Sequence, residues 1–319
     1  AEEDSVGAEG SGPVKRHSRR RLLGIGAAAT TGLVAGVAGG VTLVQGAAPT
    51  PVIKPSGSRR FAGKVVVITG ATSGIGRSAA VMFAAEGAKV GFCGRRENLG
   101  REVEQQIRAA GGEATYVRAD VRVEQDVQRF VDQVATKYGG VDVCFNNAGI
   151  TIEKPLHEYT AAEWDDVVNT NLRGNFLALK YEVPHMIARG GGTVVVTSSS
   201  NAIATTEGRS AYSATKRGLV GMVQSAAHDY ADKNIRINTL IPGTTNTELT
   251  RRVAGAMNLP DPVWNSMAAV FAKQNVPGLK RMATPDEIAT FALALASDDF
   301  PYMTGSQMVI DGGKTAHAG

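Results

Sequence analysis

Lys64-Val65-Val66-Val67-Ile68-Thr69-Gly70-Ala71-Thr72-Ser73-Gly74-Ile75-Gly76 is the stretch from which the fold is read. Its first six residues form a continuous run rich in β-branched side chains, the pattern of a parallel strand buried on both faces. The glycines that follow permit a sharp turn and a close backbone approach, and a helix-period segment, 77–86, comes next. Strand, glycine loop and helix N-terminus in that order make a pyrophosphate site, because the helix N-terminus presents free N–H groups to an anion. The spacing is Gly-x-x-x-Gly-x-Gly and not Gly-x-Gly-x-x-Gly. Gly70, Thr72, Ser73, Gly74, Ile75 and Gly76 are the expected cofactor-loop residues.

Outward from this unit, strand-like and helix-like segments alternate. Strands are expected at 88–93, 114–118, 141–145, 192–198, 235–240 and 307–310, and helices at 124–138, 161–189 and 209–231. The pattern predicts an α/β fold over residues 60–319: a single doubly wound parallel-sheet (Rossmann) domain of about seven strands, with helices on both faces. The second strand ends in Gly94-Arg95-Arg96, without the acidic residue that grips a ribose 2′-OH. Arg95, or Arg96, is suited to a 2′-phosphate instead, which makes NADP(H) the expected cofactor and NAD(H) the alternative.

Tyr212 and Lys216 lie one helical turn apart in Ala211-Tyr212-Ser213-Ala214-Thr215-Lys216, with Ser198, Ser199 and Ser200 upstream. A free tyrosine has a pKa of about 10, and an ammonium one turn away is expected to lower it. Such a pair is also common on ordinary amphipathic helices, so its weight comes from its surroundings.

Bulk composition narrows the function further. The net charge of +4 belongs to residues 1–60, which carry eight Lys/Arg against four Asp/Glu, leaving 26 of each sign in the body. A neutral body gives no argument for nucleic acid. Cys93 and Cys144 each lie in an apolar strand-like run and are expected to be buried free thiols. The five histidines show no metal-ligand spacing, and no metal is expected.

The first sixty residues differ in kind. A polar, basic segment (1–21) ends in Ser18-Arg19-Arg20-Arg21-Leu22-Leu23, followed by 27 uncharged residues (22–48) and a linker (49–59). Paired arginines before a weakly apolar stretch resemble a twin-arginine export signal. As a helix, 27 residues would span about 40 Å, enough to cross a bilayer. The expectation is an exported, periplasmic or outward-facing membrane-anchored protein, with a cytoplasmic location as the alternative.

Residues 60–316 resemble the short-chain dehydrogenase/reductase family. The resemblance is carried, in family order, by Thr69-Gly70-x-x-x-Gly74-Ile75-Gly76, Asp120-Val121, Asn146-Asn147-Ala148-Gly149, Asn171-Leu172-x-Gly174, Ser199, Tyr212-x-x-x-Lys216, and Pro242-Gly243 with Thr245 and Thr247. It implies Tyr212 as general acid/base and Lys216 as the group that lowers its pKa and binds the nicotinamide ribose. Ser199 would bond the substrate oxygen, with Ser198 and Ser200 set apart from it only by spacing. Asn171 would anchor a proton-relay water, Asn169 being the alternative. Asp120 and Val121 would hold the adenine, Asn147, Ala148 and Gly149 would line the cleft, and Pro242, Gly243, Thr245 and Thr247 would border the nicotinamide. A homo-tetramer or homo-dimer through 161–189 and 209–231 is likewise implied.

The implied reaction is interconversion of an alcohol and a ketone or aldehyde. A tethered, non-catalytic subunit that keeps the fold for assembly or binding is the alternative. The family's substrate lid would lie between Thr247 and Pro277, and Met257, Leu259, Trp264, Met267, Val270 and Phe271 there suggest a partly apolar substrate. Packing of the same side chains on the protein itself is an equal alternative.

Overall fold

The structure, a computed structural model, describes residues 51–54 and 57–316. Its seven strands are β1 (Val65–Thr69), β2 (Lys89–Gly94), β3 (Glu113–Arg118), β4 (Val143–Asn146), β5 (Gly192–Thr197), β6 (Ile235–Pro242) and β7 (Gln307–Ile310). They form one sheet in the order β3-β2-β1-β4-β5-β6-β7, and every pairing is parallel. The doubly wound expectation holds.

β1 shows why its sequence has no polar alternation. Val66 and Ile68 pack into one core cluster with Phe83, Phe92 and Leu293, while Val65 and Val67 enter a second cluster with Val131, Leu177 and Leu219. Each fully buried aliphatic side chain contributes about 1.5–3 kcal/mol, so both faces of this strand are held.

The helices are α1 (Gly74–Ala85), α2 (Glu97–Ala109), α3 (Glu124–Tyr138), α4 (Ala161–Val168), α5 (Gly174–Arg189), α6 (Ser210–Tyr230), α7 (Glu248–Val253), α8 (Asp261–Asn275) and α9 (Pro285–Ala296). The expected stretch 161–189 is α4, a π-helical turn at Asn169–Arg173, and α5. Helices α2, α7, α8 and α9 add to the sequence expectation. The strand order reverses between β1 and β4, which opens a crevice at their carboxyl ends.

Cys93 and Cys144 are buried and free, and burial pushes the Cys93 thiol up to about 12. Among the described residues no helix is long and apolar enough to cross a membrane. The basic segment and the 22–48 stretch, with the export and anchor expectations attached to them, lie outside the described residues.

Candidate active site

The glycine loop leaves β1 with positive φ at Gly70 (70°) and Gly74 (55°). A Cβ on Gly70 would lie 2.7 Å from Ala148 Cα, and one on Gly76 2.4 Å from Gly70 O and 2.7 Å from Asn147 Nδ2. These glycines therefore let two loops touch: Thr69 Oγ1 accepts from the N–H groups of Asn147 (3.1 Å) and Ala148 (3.2 Å). Ser73 precedes α1 without capping it through its side chain, and no acid occupies the first turn. The first-turn N–H groups are thus open to an anion, so the loop fits a dinucleotide pyrophosphate. Ile75 turns into the core.

The two arginines after β2 differ. Arg96 Nη1 donates to both oxygens of Glu248, at 2.6 Å each, and its Nη2 donates to Ser73 Oγ (2.6 Å) and Thr72 Oγ1 (3.2 Å). Arg95 is half exposed and comes only within 4.0 Å of Asp120. Of the two, Arg95 is thus the guanidinium not held by Glu248, Ser73 and Thr72.

Asp120 is committed to Arg122, whose Nε (3.0 Å) and Nη2 (2.6 Å) both donate to it. Val121 is buried in the core, against Gly174.

The Tyr212 end is assembled from β5, the π turn and α6. Ser198 Oγ donates to the main-chain oxygen of Lys216 (2.7 Å) and is spent on structure. Ser199 Oγ accepts from Asn201 N (3.2 Å), and of the three serines it is the one that acts on the Tyr212 phenol, lowering its pKa against the effect of burial. Asn171 sits in the π turn, a feature frequent at functional sites. Its Oδ1 accepts from Ile150 N (2.8 Å), and its Nδ2 donates to Ile150 O (2.9 Å) and Thr215 Oγ1 (3.1 Å). Lys216 Nζ donates to Thr197 O (2.8 Å) and lies 5.6 Å from the Tyr212 ring centroid. A Cβ on Gly149 would lie 3.3 Å from Asn171 Oδ1 and 3.4 Å from Lys216 Nζ, which places this loop against both side chains.

The expected lowering of the Tyr212 pKa by Lys216 is overturned in this state. Burial raises the Tyr212 pKa, and Ser199 and Arg209 only partly offset it. Burial also pulls Lys216 down to about 8. Desolvation outweighs the spacing argument, because removing both groups from water disfavours both charged forms.

Of the residues expected to border the nicotinamide, Thr247 faces the loop, its Cγ2 3.3 Å from where a Gly74 Cβ would be. Pro242 ends β6, Gly243 packs on Asp311, and Thr245 Oγ1 turns back to Gly243 O (3.2 Å). In the lid, Trp264 is buried in a cluster with Ala268 and Ala272, against which Leu259 and Phe271 pack, while its Nε1 donates to Asn246 Oδ1 (2.7 Å). These side chains pack on the lid itself; Met257 and Val270 are exposed. Arg209, the residue before α6, pairs with Glu153 of the loop after β4 (2.6 Å), two residues that share no sequence motif.

The family model described as Enoyl-(Acyl carrier protein) reductase matches residues 70–315. The chain is 39% identical to cis-4-hydroxycyclohexanecarboxylate dehydrogenase of Sinomonas cyclohexanicum, over 80% of this chain and 98% of that protein. It is 38% identical to the 3-oxoacyl-[acyl-carrier-protein] reductase FabG of Thermotoga maritima, over the same shares. A solved short-chain type dehydrogenase/reductase from Mycobacterium marinum superposes with a TM-score of 0.74 at 31% identity, covering 82% of this chain and 99% of that one. With these likenesses over the whole Rossmann domain, the chain belongs to the short-chain dehydrogenase/reductase family, oxidoreductases that act on CH–OH groups with NAD(P)(H).

Proposed function

We propose that this protein interconverts a secondary alcohol and a ketone, with Tyr212 moving the proton. The observation that carries the reading is the convergence of Ser199, Tyr212, Lys216 and Asn171 at the mouth of the cleft that the glycine loop opens. The two relatives' printed substrates, a hydroxycyclohexane and a 3-oxoacyl group, share that functional group. When bound, NAD(P)(H) gives or takes the hydride at the carbon that bears the oxygen. Tyr212 then donates its phenolic proton to the ketone oxygen during reduction, or accepts the hydroxyl proton during oxidation. Ser199 donates a hydrogen bond to the same oxygen, where charge develops. Lys216 returns a proton to Tyr212, and Asn171 fixes Ile150 beside it.

Oxidation of NADPH by cyclohexanone, with cyclohexanol identified as the product, tests the reading. The ammonium form of Lys216 is lost above about 8, so kcat/KM for reduction should fall with rising pH through that region. For alcohol oxidation it should rise through the same region. Absence of ketone-dependent NAD(P)H oxidation, or a reduction profile flat across that region, counts against the assignment.

We further infer NADP(H) as the preferred cofactor, held at the 2′-phosphate by Arg95. Arg95→Asp should shift the NADPH/NADH preference towards NADH by about 10-fold or more, since a charge-assisted pair contributes roughly 1.5–3 kcal/mol. An unchanged ratio of kcat/KM values for the two cofactors would reject Arg95.

A further inference from the structure

Arg96 and Glu248 are 152 residues apart in sequence, yet their side chains meet at 2.6 Å. Arg96 follows β2, and Glu248 opens α7, beyond β6. In the sheet, β1, β4 and β5 lie between β2 and β6. At a spacing of about 4.8 Å between neighbouring strands, the carboxyl ends of β2 and β6 stand about 19 Å apart. The two side chains therefore meet above the carboxyl ends of the intervening strands, where the crevice opens. Further contacts tie this bridge to the glycine loop. Arg96 Nη2 donates to Ser73 Oγ (2.6 Å) and Thr72 Oγ1 (3.2 Å), so one guanidinium joins that loop to α7. Thr247, the residue before α7, lies against Gly74, its Cγ2 3.3 Å from where a Cβ would be.

The bridge is strong at its contact and weakly supported behind it. Arg96 Nη1 reaches both oxygens of Glu248, and this bond holds the Glu248 carboxyl below the usual carboxylate range, ionised at neutral pH. Helix α7 has six residues and buries none of them. No core packing fixes such an element, so its place over the loop depends on polar contacts. Both partners of the pair are partly exposed, so water can solvate each when the contact opens. Arg252 Nη2 also donates to Glu248 Oε1 (2.6 Å), but from one turn along the same helix, so it spans nothing.

We propose that the Arg96–Glu248 pair is a clasp that closes α7 over the bound dinucleotide, with Glu248 a positioning residue that acts through Arg96 and sets the rate of cofactor exchange. This role rests on the reading of the glycine loop as the dinucleotide site, but its test does not need turnover. A clasp across the crevice hinders entry and exit alike. Its removal speeds both and leaves the affinity nearly unchanged. Loss of a direct contact to the cofactor would instead speed exit alone.

Stopped-flow fluorescence of NADPH gives the association rate on mixing and the dissociation rate on displacement by excess NADP+. Glu248→Gln should raise both rates by about 10-fold, the lower end of a charge-assisted bond because the pair is partly solvated. Arg96→Lys, which keeps the charge but not the fork, should raise both by less. Arg252→Met should match the parent protein, since that contact stays within α7. An unfolding midpoint like the parent's shows that each variant folds. Glu248→Gln rates equal to the parent's, the same acceleration in Arg252→Met, or faster dissociation with an equal loss of affinity overturns the proposal. A parent protein that binds neither NADPH nor NADH overturns it together with the dinucleotide reading. Reduction of cyclohexanone is measured on the same preparations. Turnover with unaltered exchange rates removes the clasp and leaves the oxidoreductase reading. Faster exchange in Glu248→Gln, with no turnover even in the parent, does the reverse.

Discussion

Tyr212→Phe is expected to lower kcat for ketone reduction by about 10³-fold or more, within the range of general acid–base catalysis with a hydrogen bond to the reacting oxygen removed as well. The substitution isolates the phenolic O–H. Phenylalanine keeps the ring that lies 5.6 Å from Lys216 Nζ, and with it the packing of α6. Ser199, the proposed donor to the substrate oxygen, remains but carries no proton that can be transferred at neutral pH. Steady-state turnover and fluorescence titration of NADPH, on the same preparation, separate the two roles. Loss of turnover with a cofactor Kd changed by no more than a few-fold supports Tyr212 as the acid. Turnover within 10-fold of the parent protein sinks that assignment and revives the reading of the chain as a binding or assembly subunit.

The fold was legible where burial is two-sided. Val65, Val66, Val67 and Ile68 leave no polar alternation because the sheet is covered on both faces, and a run of that kind announces a parallel strand. Helix α9 was equally open to reading, since Thr284-Pro285-Asp286-Glu287 is a capping box with proline at the first helical position. Helix α2 is harder to see: Gly100, Val103, Glu104 and Ile107 are its buried residues, and two of those four are not apolar.

At the site, sequence spacing stops short of choosing among neighbours. Ser198, Ser199 and Ser200 are chemically alike, and only the hydrogen bond from Ser198 to the Lys216 carbonyl shows which one is engaged elsewhere. Arg95 and Arg96 divide in the same way, once Glu248 is seen to take Arg96 from across the cleft. Spacing also misjudged the Tyr212 pKa, because one helical turn fixes proximity but not solvation. Glu153 and Arg209 carry no local signature at all. Their pairing is a product of the topology, which brings the loop after β4 and the start of α6 to one end of the sheet.

A single methyl group at Gly76 should be nearly as damaging as loss of the phenol. A Cβ there would meet Gly70 O at 2.4 Å, Asn147 Nδ2 at 2.7 Å and Ala71 Cα at 2.9 Å. Two of these three atoms are backbone, so the strain cannot be relieved by rotating a side chain. Overpacking of this kind costs about 1–3 kcal/mol, and more where the backbone has to shift. The shift would not stay local. Asn147 Nδ2 donates to Gly70 O at 3.3 Å, and Asn147 and Ala148 both donate to Thr69 Oγ1, so parting these loops displaces the segment ending at Gly149 beside Lys216. Gly74→Ala is the instructive contrast. Its nearest contact would be Thr247 Cγ2 at 3.3 Å, a side-chain atom, and its cost comes instead from a φ of 55°, roughly 1–2 kcal/mol. Gly76→Ala should therefore weaken NADPH binding by about 10-fold or more and lower the unfolding midpoint by several degrees, as expected of a 1–3 kcal/mol strain. It should also depress kcat, because the displaced loop abuts Lys216. A Gly76→Ala protein with the parent's midpoint and the parent's NADPH affinity would show that the close approach of Gly76 to Gly70 is not what shapes the cofactor loop.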